Sequence, residues 1–134
     1  VLSDLPASDA AFPYAMLIVK REYLESNREN VSRALASLCE ASDFYRAEEA
    51  KSLEIIAKNI KGSDTAEAAR ERYKLAGPGM ISDPPVPDKR GFETVLANVK
   101  MPGDKKPDLA TMIDLSVLEA LQKQGKCLGE KTPE

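Results

Sequence analysis

Histidine and tryptophan are both absent from this 134-residue chain, which holds two cysteines and, as aromatics, three Phe and four Tyr. Without histidine the commonest metal ligand and the commonest general base are missing. Zinc chemistry and Ser-His or Cys-His nucleophilic catalysis therefore lack their usual parts. So few aromatics leave the core to Leu, Ile, Val and Ala. Two cysteines do not define a disulfide framework. Cys39 falls inside a helical pattern and Cys127 in a polar tail, and both are expected as free thiols. No apolar run approaches the about 18 residues needed to span a bilayer. The opening Val1 to Asp4 lacks the charged and apolar regions of a signal peptide. The chain thus reads as soluble, without direct membrane insertion, and the missing initiating Met suggests that it begins inside a longer gene product.

Charge of one sign is also lacking. Nineteen basic and 22 acidic residues are interspersed to a net −3, with no basic stripe to track phosphates, which argues against a nucleic-acid partner. Basic pairs such as Lys20-Arg21 and Lys105-Lys106 read as solvated ends of elements. What is present is globular: 43% hydrophobic and 31% charged residues are enough for a folded domain with a real core.

The apolar run Ala15 to Val19, ended by Lys20-Arg21, is short and β-branched, as suits a strand buried on both faces. Val1 to Pro13 reads as an extended lead-in. From Asn27, a plausible N-cap, the positions Val31, Leu35, Leu38, Ser42 and Tyr45 recur at helical spacing, with Ala34 and Ala41 widening the stripe. A second pattern, Ala50, Leu53, Ile56, Ala57 and Ile60, follows almost in phase and stops at Gly62. One helix over residues 28 to 61 would be long for a globular domain, so a bend is expected near Ala47.

Asp64 with Glu67 reads as a capping box for a helix bearing Ala66, Ala69, Tyr73 and Ala76. Four prolines between Pro78 and Asp88 predict a long surface loop. Phe92, Val95, Leu96 and Val99 form one more helical face, closed by Met101 to Gly103. After a polar turn over Asp104 to Pro107, Asp114 is placed to cap a last helix with Leu115, Leu118 and Leu121 that ends at Gly125. Residues 126–134 are expected to fray as a disordered tail, leaving 1–125 as one unit. No repeat of fixed period is present, which argues against a solenoid. The apolar faces predict one contiguous core of Leu35, Leu38, Leu53, Ile56, Leu96, Leu118 and Leu121.

In order and spacing these segments resemble the carboxyl-terminal region of the nitrate/sulfonate/taurine solute-binding proteins of bacterial ABC importers, relatives of the thiamine-pyrimidine binding proteins. The resemblance covers about residues 10 to 125. It rests on Phe12-Pro-Tyr-Ala-Met-Leu-Ile-Val19, Arg21-Glu-Tyr-Leu-Glu-Ser-Asn27 and the helix Val31 to Tyr45, then on Glu48-Glu-Ala-Lys-Ser-Leu-Glu-Ile-Ile-Ala57. Gly91-Phe-Glu-Thr-Val-Leu96 and Ile113-Asp-Leu-Ser-Val-Leu-Glu-Ala-Leu121 continue it. The chain departs from the pattern at Ala47, where relatives often carry an Asn-Pro helix break.

The resemblance implies a mainly α chain with one short β-strand, the C-terminal segment of a type II periplasmic-binding-protein-like α/β fold. It also implies capture of a small-molecule ligand between two lobes, delivery to an ABC permease, and a periplasmic or extracytoplasmic location with a signal peptide upstream. Most ligand contacts would come from upstream chain. The ligand-binding candidates here are Phe12 and Tyr14, which flank the interlobe crossing. Packing against the strand is the plainer role for both.

No catalytic residue, metal ligand or cofactor is read from the sequence, and an enzyme is not expected. The carboxylate pairs Glu48-Glu49 and Glu67-Glu71 read as solvated helix faces, because neither has a His or a further carboxylate cluster at ligand spacing. Helix starts already carry Glu29, Glu48, Glu49, Asp64, Glu67 and Asp114, which would repel an incoming anion. The competing function is a helical protein–protein interaction or regulatory domain. An enzyme like the pyrimidine-synthesising relatives would need cysteine-rich and histidine-bearing features that this chain lacks. The unpaired edge of the strand Ala15 to Val19 further predicts a two-fold homodimer of the 134-residue chain.

Overall fold

In the computed structural model, residues 16–76, 84–98 and 107–129 are described. Every regular element among them is a helix: α1 Arg21–Ser26, α2 Arg28–Ala47, α3 Glu49–Asn59, α4 Ala66–Ala76, α5 Lys89–Asn98, α6 Leu109–Met112 and α7 Ser116–Lys123. The mainly α expectation is met. The strand is not. Residues 16–20 form no strand, and Met16, Leu17 and Ile18 stand 42%, 47% and 78% exposed. Only Val19 of the run packs on the core. A strand is defined by its partner, and no second strand lies among the described residues to satisfy its backbone. Ala15 itself lies outside them.

The expected bend is present, one residue from the expected place. Glu48 leaves helical geometry at φ −120°, ψ 58°, ending α2 and beginning α3. The backbone ladder survives on both sides: Glu48 N–H donates to Phe44 C=O at 2.9 Å, and Ser52 N–H to Glu48 C=O at 2.9 Å. With no Pro or Gly at the corner, packing bends the chain, because α2 lies against α7 while α3 lies against α4. Asn27 makes a similar break between α1 and α2, and its side chain forms no capping bond.

Helix phase decides the core. On α2 the buried residues are Val31, Ala36 and Cys39, with Leu35 packed beside them, whereas Leu38 is 49% exposed. One residue is about 100° of helical turn, so placing Cys39 inward rotates Leu38 out. The main cluster joins these side chains to Leu24, Val117, Leu118, Leu121 and Cys127. Burying Val117, Leu118 and Leu121 contributes about 1.5–3 kcal/mol each. The single contiguous core does not form: Ile56 is buried outside this cluster, on the α3 that packs with α4, and Leu53 and Leu96 are half-buried.

Helix ends are set by local chemistry. Thr65, not Asp64, caps α4, its hydroxyl accepting from Ala68 N–H at 3.1 Å. Three residues beyond Thr65 stands Ala68, so no capping box closes. Asp88 accepts from Arg90 N–H at 2.9 Å at the start of α5, and Asp108 from Ala110 N–H at 2.9 Å at the start of α6, a four-residue helix that no apolar spacing marks. Asp114 does act at the last helix, accepting from Ser116 N–H at 2.9 Å. That helix stops as expected at Gly125, whose φ is +76°. There Gly125 N–H reaches Gln122 C=O and Lys126 N–H reaches Leu121 C=O, the paired bonds of a Schellman ending.

Candidate functional site

Phe12 and Tyr14, nominated from the sequence, lie outside the described residues. So do Met101 to Gly103, Lys105-Lys106 and most of the proline loop. Three constellations stand out among the described side chains, and none had been assembled from the sequence.

The first is a covalent tie. Cys39 and Cys127 form a disulfide across a sequence separation of 88, with Cα atoms 5.3 Å apart. This corrects the expectation of two free thiols. Cys39 sits four residues beyond Leu35 on the buried face of α2, and the chain beyond α7 turns back to meet it. Lys126 to Gly129, expected to fray, are thereby anchored, and Cys127 is 7% exposed. In the chain-entropy description a cross-link over so long a loop contributes on the order of 4–5 kcal/mol. A groove lined by Ala36, Cys39, Glu40, Asp43, Lys126 and Gly129 opens onto the bond. Its rim bears two carboxylates and one ammonium, and it is open to solvent.

The second constellation joins the start of the helical unit to its end. Arg21 donates to Thr111 C=O at 2.6 Å, and Arg28 donates to Ser116 Oγ at 2.8 Å. Ser116 Oγ in turn donates to the Asp114 carboxylate. The Ser116 hydroxyl and N–H hold the Asp114 carboxyl below the usual carboxylate range, with the charges of Arg28 and Arg21 acting in the same direction. Arg21 is thus more than the solvated end of a basic pair.

The third is an aromatic clasp. Tyr45 on α2 and Tyr73 on α4 stack with ring centroids 4.5 Å apart and planes 20° from parallel. Each hydroxyl donates to the other residue's backbone carbonyl, Tyr45 to Tyr73 at 2.5 Å and Tyr73 to Tyr45 at 2.9 Å. Burial, and secondarily the neighbouring Tyr73, raises the Tyr45 phenol above its ordinary value. The residue spacing had marked both tyrosines as helix-face residues, but not as partners.

All three constellations position chain segments; none converges polar groups on an enclosed space. Glu48 pairs with Lys51 at 2.9 Å and Glu71 with Lys74 at 3.0 Å, on exposed helix faces. Among the described residues no three His, Cys, Asp or Glu side chains cluster to hold a metal. Nor is any helix among them long and apolar enough to cross a membrane. First turns carry Glu29, Glu49, Glu67 and Glu119, which offsets the positive ends of those helix dipoles. No protein-family model, curated protein or solved structure matches the chain.

Proposed function

We propose that this chain is part of the substrate-binding protein of a bacterial ABC importer, a module that captures a small solute of the nitrate, sulfonate, taurine or pyrimidine class and hands it to a permease. The order and spacing of the segments quoted for the resemblance, from Arg21–Asn27 to Ile113–Leu121, carry this reading. The Cys39–Cys127 disulfide supports the extracytoplasmic location, because such bonds persist in oxidising compartments. Part of this proposal is the finer fold, with the exposed run Met16 to Ile18 as a strand. In a type II periplasmic-binding-protein-like lobe it would pair into a sheet supplied by upstream chain, with Phe12 and Tyr14 at the interlobe crossing. Alone, the same run would pair with a second copy.

The test is binding by the gene product that contains this chain. Calorimetric titration with nitrate, taurine, alkanesulfonates and pyrimidines should give one-to-one binding of one class, while this 134-residue chain alone should bind them weakly or not at all. Absence of binding by the longer protein to every class would remove the proposal.

A second reading, a helical interaction domain, is favoured by one observation. The face of α2 turned away from α7 leaves Ala34, Leu38, Ala41 and Phe44 exposed at helical spacing, the kind of stripe that docks in a partner's groove. Polar substitution of Leu38 and Phe44 that abolished partner capture, with no solute bound, would establish that reading instead.

A further inference from the structure

We propose that the Cys39–Cys127 bond is a redox latch: oxidised, it holds residues 107–129 against α1 and α2, and reduced, it lets that segment leave while α3 and α4 stay paired. The proposal does not depend on solute capture.

Three observations carry it. The docked segment has little helical stability of its own, since α7 spans 8 residues and isolated helices of that length are marginal in water. Among the described residues, and apart from the disulfide, it is held by Val117, Leu118 and Leu121 in the core and by the exposed Arg21 and Arg28 hydrogen bonds.

The chain also reaches Cys39 through a hook in which alternate residues are left-handed: Gly125 at φ +76°, Cys127 at +52° and Gly129 at +75°. Glycine adopts this geometry freely, but cysteine does not. Such a conformation persists where its surroundings over-determine it, and here the bond to Cys39 is the constraint. Breaking the bond releases it.

The third observation is that the α3–α4 pair is built apart from the bond. Its buried Ile56 and Ala69 lie outside the main cluster, and the Tyr45–Tyr73 clasp ties α4 to the far end of α2. Releasing the last segment therefore leaves that pairing intact.

The co-reactant is a dithiol, either a small-molecule reductant or the active-site pair of a thiol–disulfide oxidoreductase. One thiolate attacks a sulfur of the bond to form a mixed disulfide. Its second thiol, as thiolate, then displaces the remaining cysteine. The dithiol becomes a disulfide, and Cys39 and Cys127 take up two electrons and two protons as thiols. The groove lined by Ala36, Glu40, Asp43 and Lys126 gives the attacking sulfur its approach.

Hydrogen exchange followed residue by residue tests the latch in the oxidised chain, the chain in dithiothreitol, and the doubly substituted Cys39→Ala/Cys127→Ala chain, which needs no reductant. Amides of 116–125 should lose protection by about tenfold or more in both unlatched forms while those of 49–76 keep theirs, as local opening of one unit requires. Retained protection at 116–125 in the reduced and doubly substituted chains would overturn the proposal. So would equal loss across 49–76, which would make the bond a global staple, and so would two free thiols found by mass in protein prepared under oxidising conditions.

Discussion

Leu38 and Leu121 separate a residue's hydrophobicity from its contribution to stability. Leu121 is 2% exposed in the main cluster, whereas Leu38 is 49% exposed at the flank of the buried stripe of α2. Leu121→Ala should therefore cost about 2–5 kcal/mol and Leu38→Ala less than about 1 kcal/mol. Urea unfolding of the two variants checks this, and equal losses would mean that the assigned phase of α2 is wrong. Asp114 makes a pH prediction. Its carboxyl titrates lower in the folded chain than in the unfolded one, chiefly through the Ser116 hydrogen bonds. Its contribution is thus present above the unfolded value near 3.8 and is lost as pH falls through the lower folded value. Asp114→Asn should remove that acid dependence and weaken the tie to Arg28, an effect read from the acid unfolding midpoint with and without the substitution.

Elements were legible in proportion to how local their causes are. Helical spacing located α2, α3, α4, α5 and α7, and Gly125 marked an end that depends on a left-handed residue. Caps were harder: Asp64 and Thr65 are adjacent and both able to accept, and the choice of Thr65 is made by where the first turn of α4 begins. Leu38 turns outward because Cys39, flanked by Val31, Leu35 and Ala36, lies near the centre of the buried stripe of α2. The corner at Glu48 shows the opposite limit, since no breaker marks it and its cause lies in α4 and α7. The clasp of Tyr45 and Tyr73 is one such distant cause. Tyr45→Phe removes one donor and leaves the Tyr73 carbonyl short of a partner, at a cost of about 1 kcal/mol. A double-mutant cycle of Tyr45→Ala and Tyr73→Ala should show coupling, because the two stacked rings are lost together. Additive losses would mean that the rings do not act together.

At the scale of the whole molecule, the sequence pointed to a mainly helical chain but not to its closure. Free thiols are the expectation from a count of two and from the places of Cys39 in a helical pattern and Cys127 in a polar tail. The extracytoplasmic location implied by the resemblance was itself an argument for oxidation, and Cys39 already lay four residues from Leu35 on the buried stripe. Partner choice is not legible in spacing, because Cys127 sits in the middle of a hook of alternately left-handed residues that no periodicity describes. Phe12 and Tyr14 rested on the resemblance alone, with no spacing of their own to support them. The same bond also sets how the molecule behaves when cut. Any single peptide-bond cleavage between Cys39 and Cys127, a separation of 88 residues, leaves two pieces that are still one covalent molecule. Limited proteolysis should therefore yield a nicked species with nearly the full mass on a non-reducing gel, which separates into two bands only after reduction. Nicks before residue 39 or beyond 127 should instead shed a piece at once, so comparing the two gels places each cut inside or outside the loop closed by the bond without sequencing.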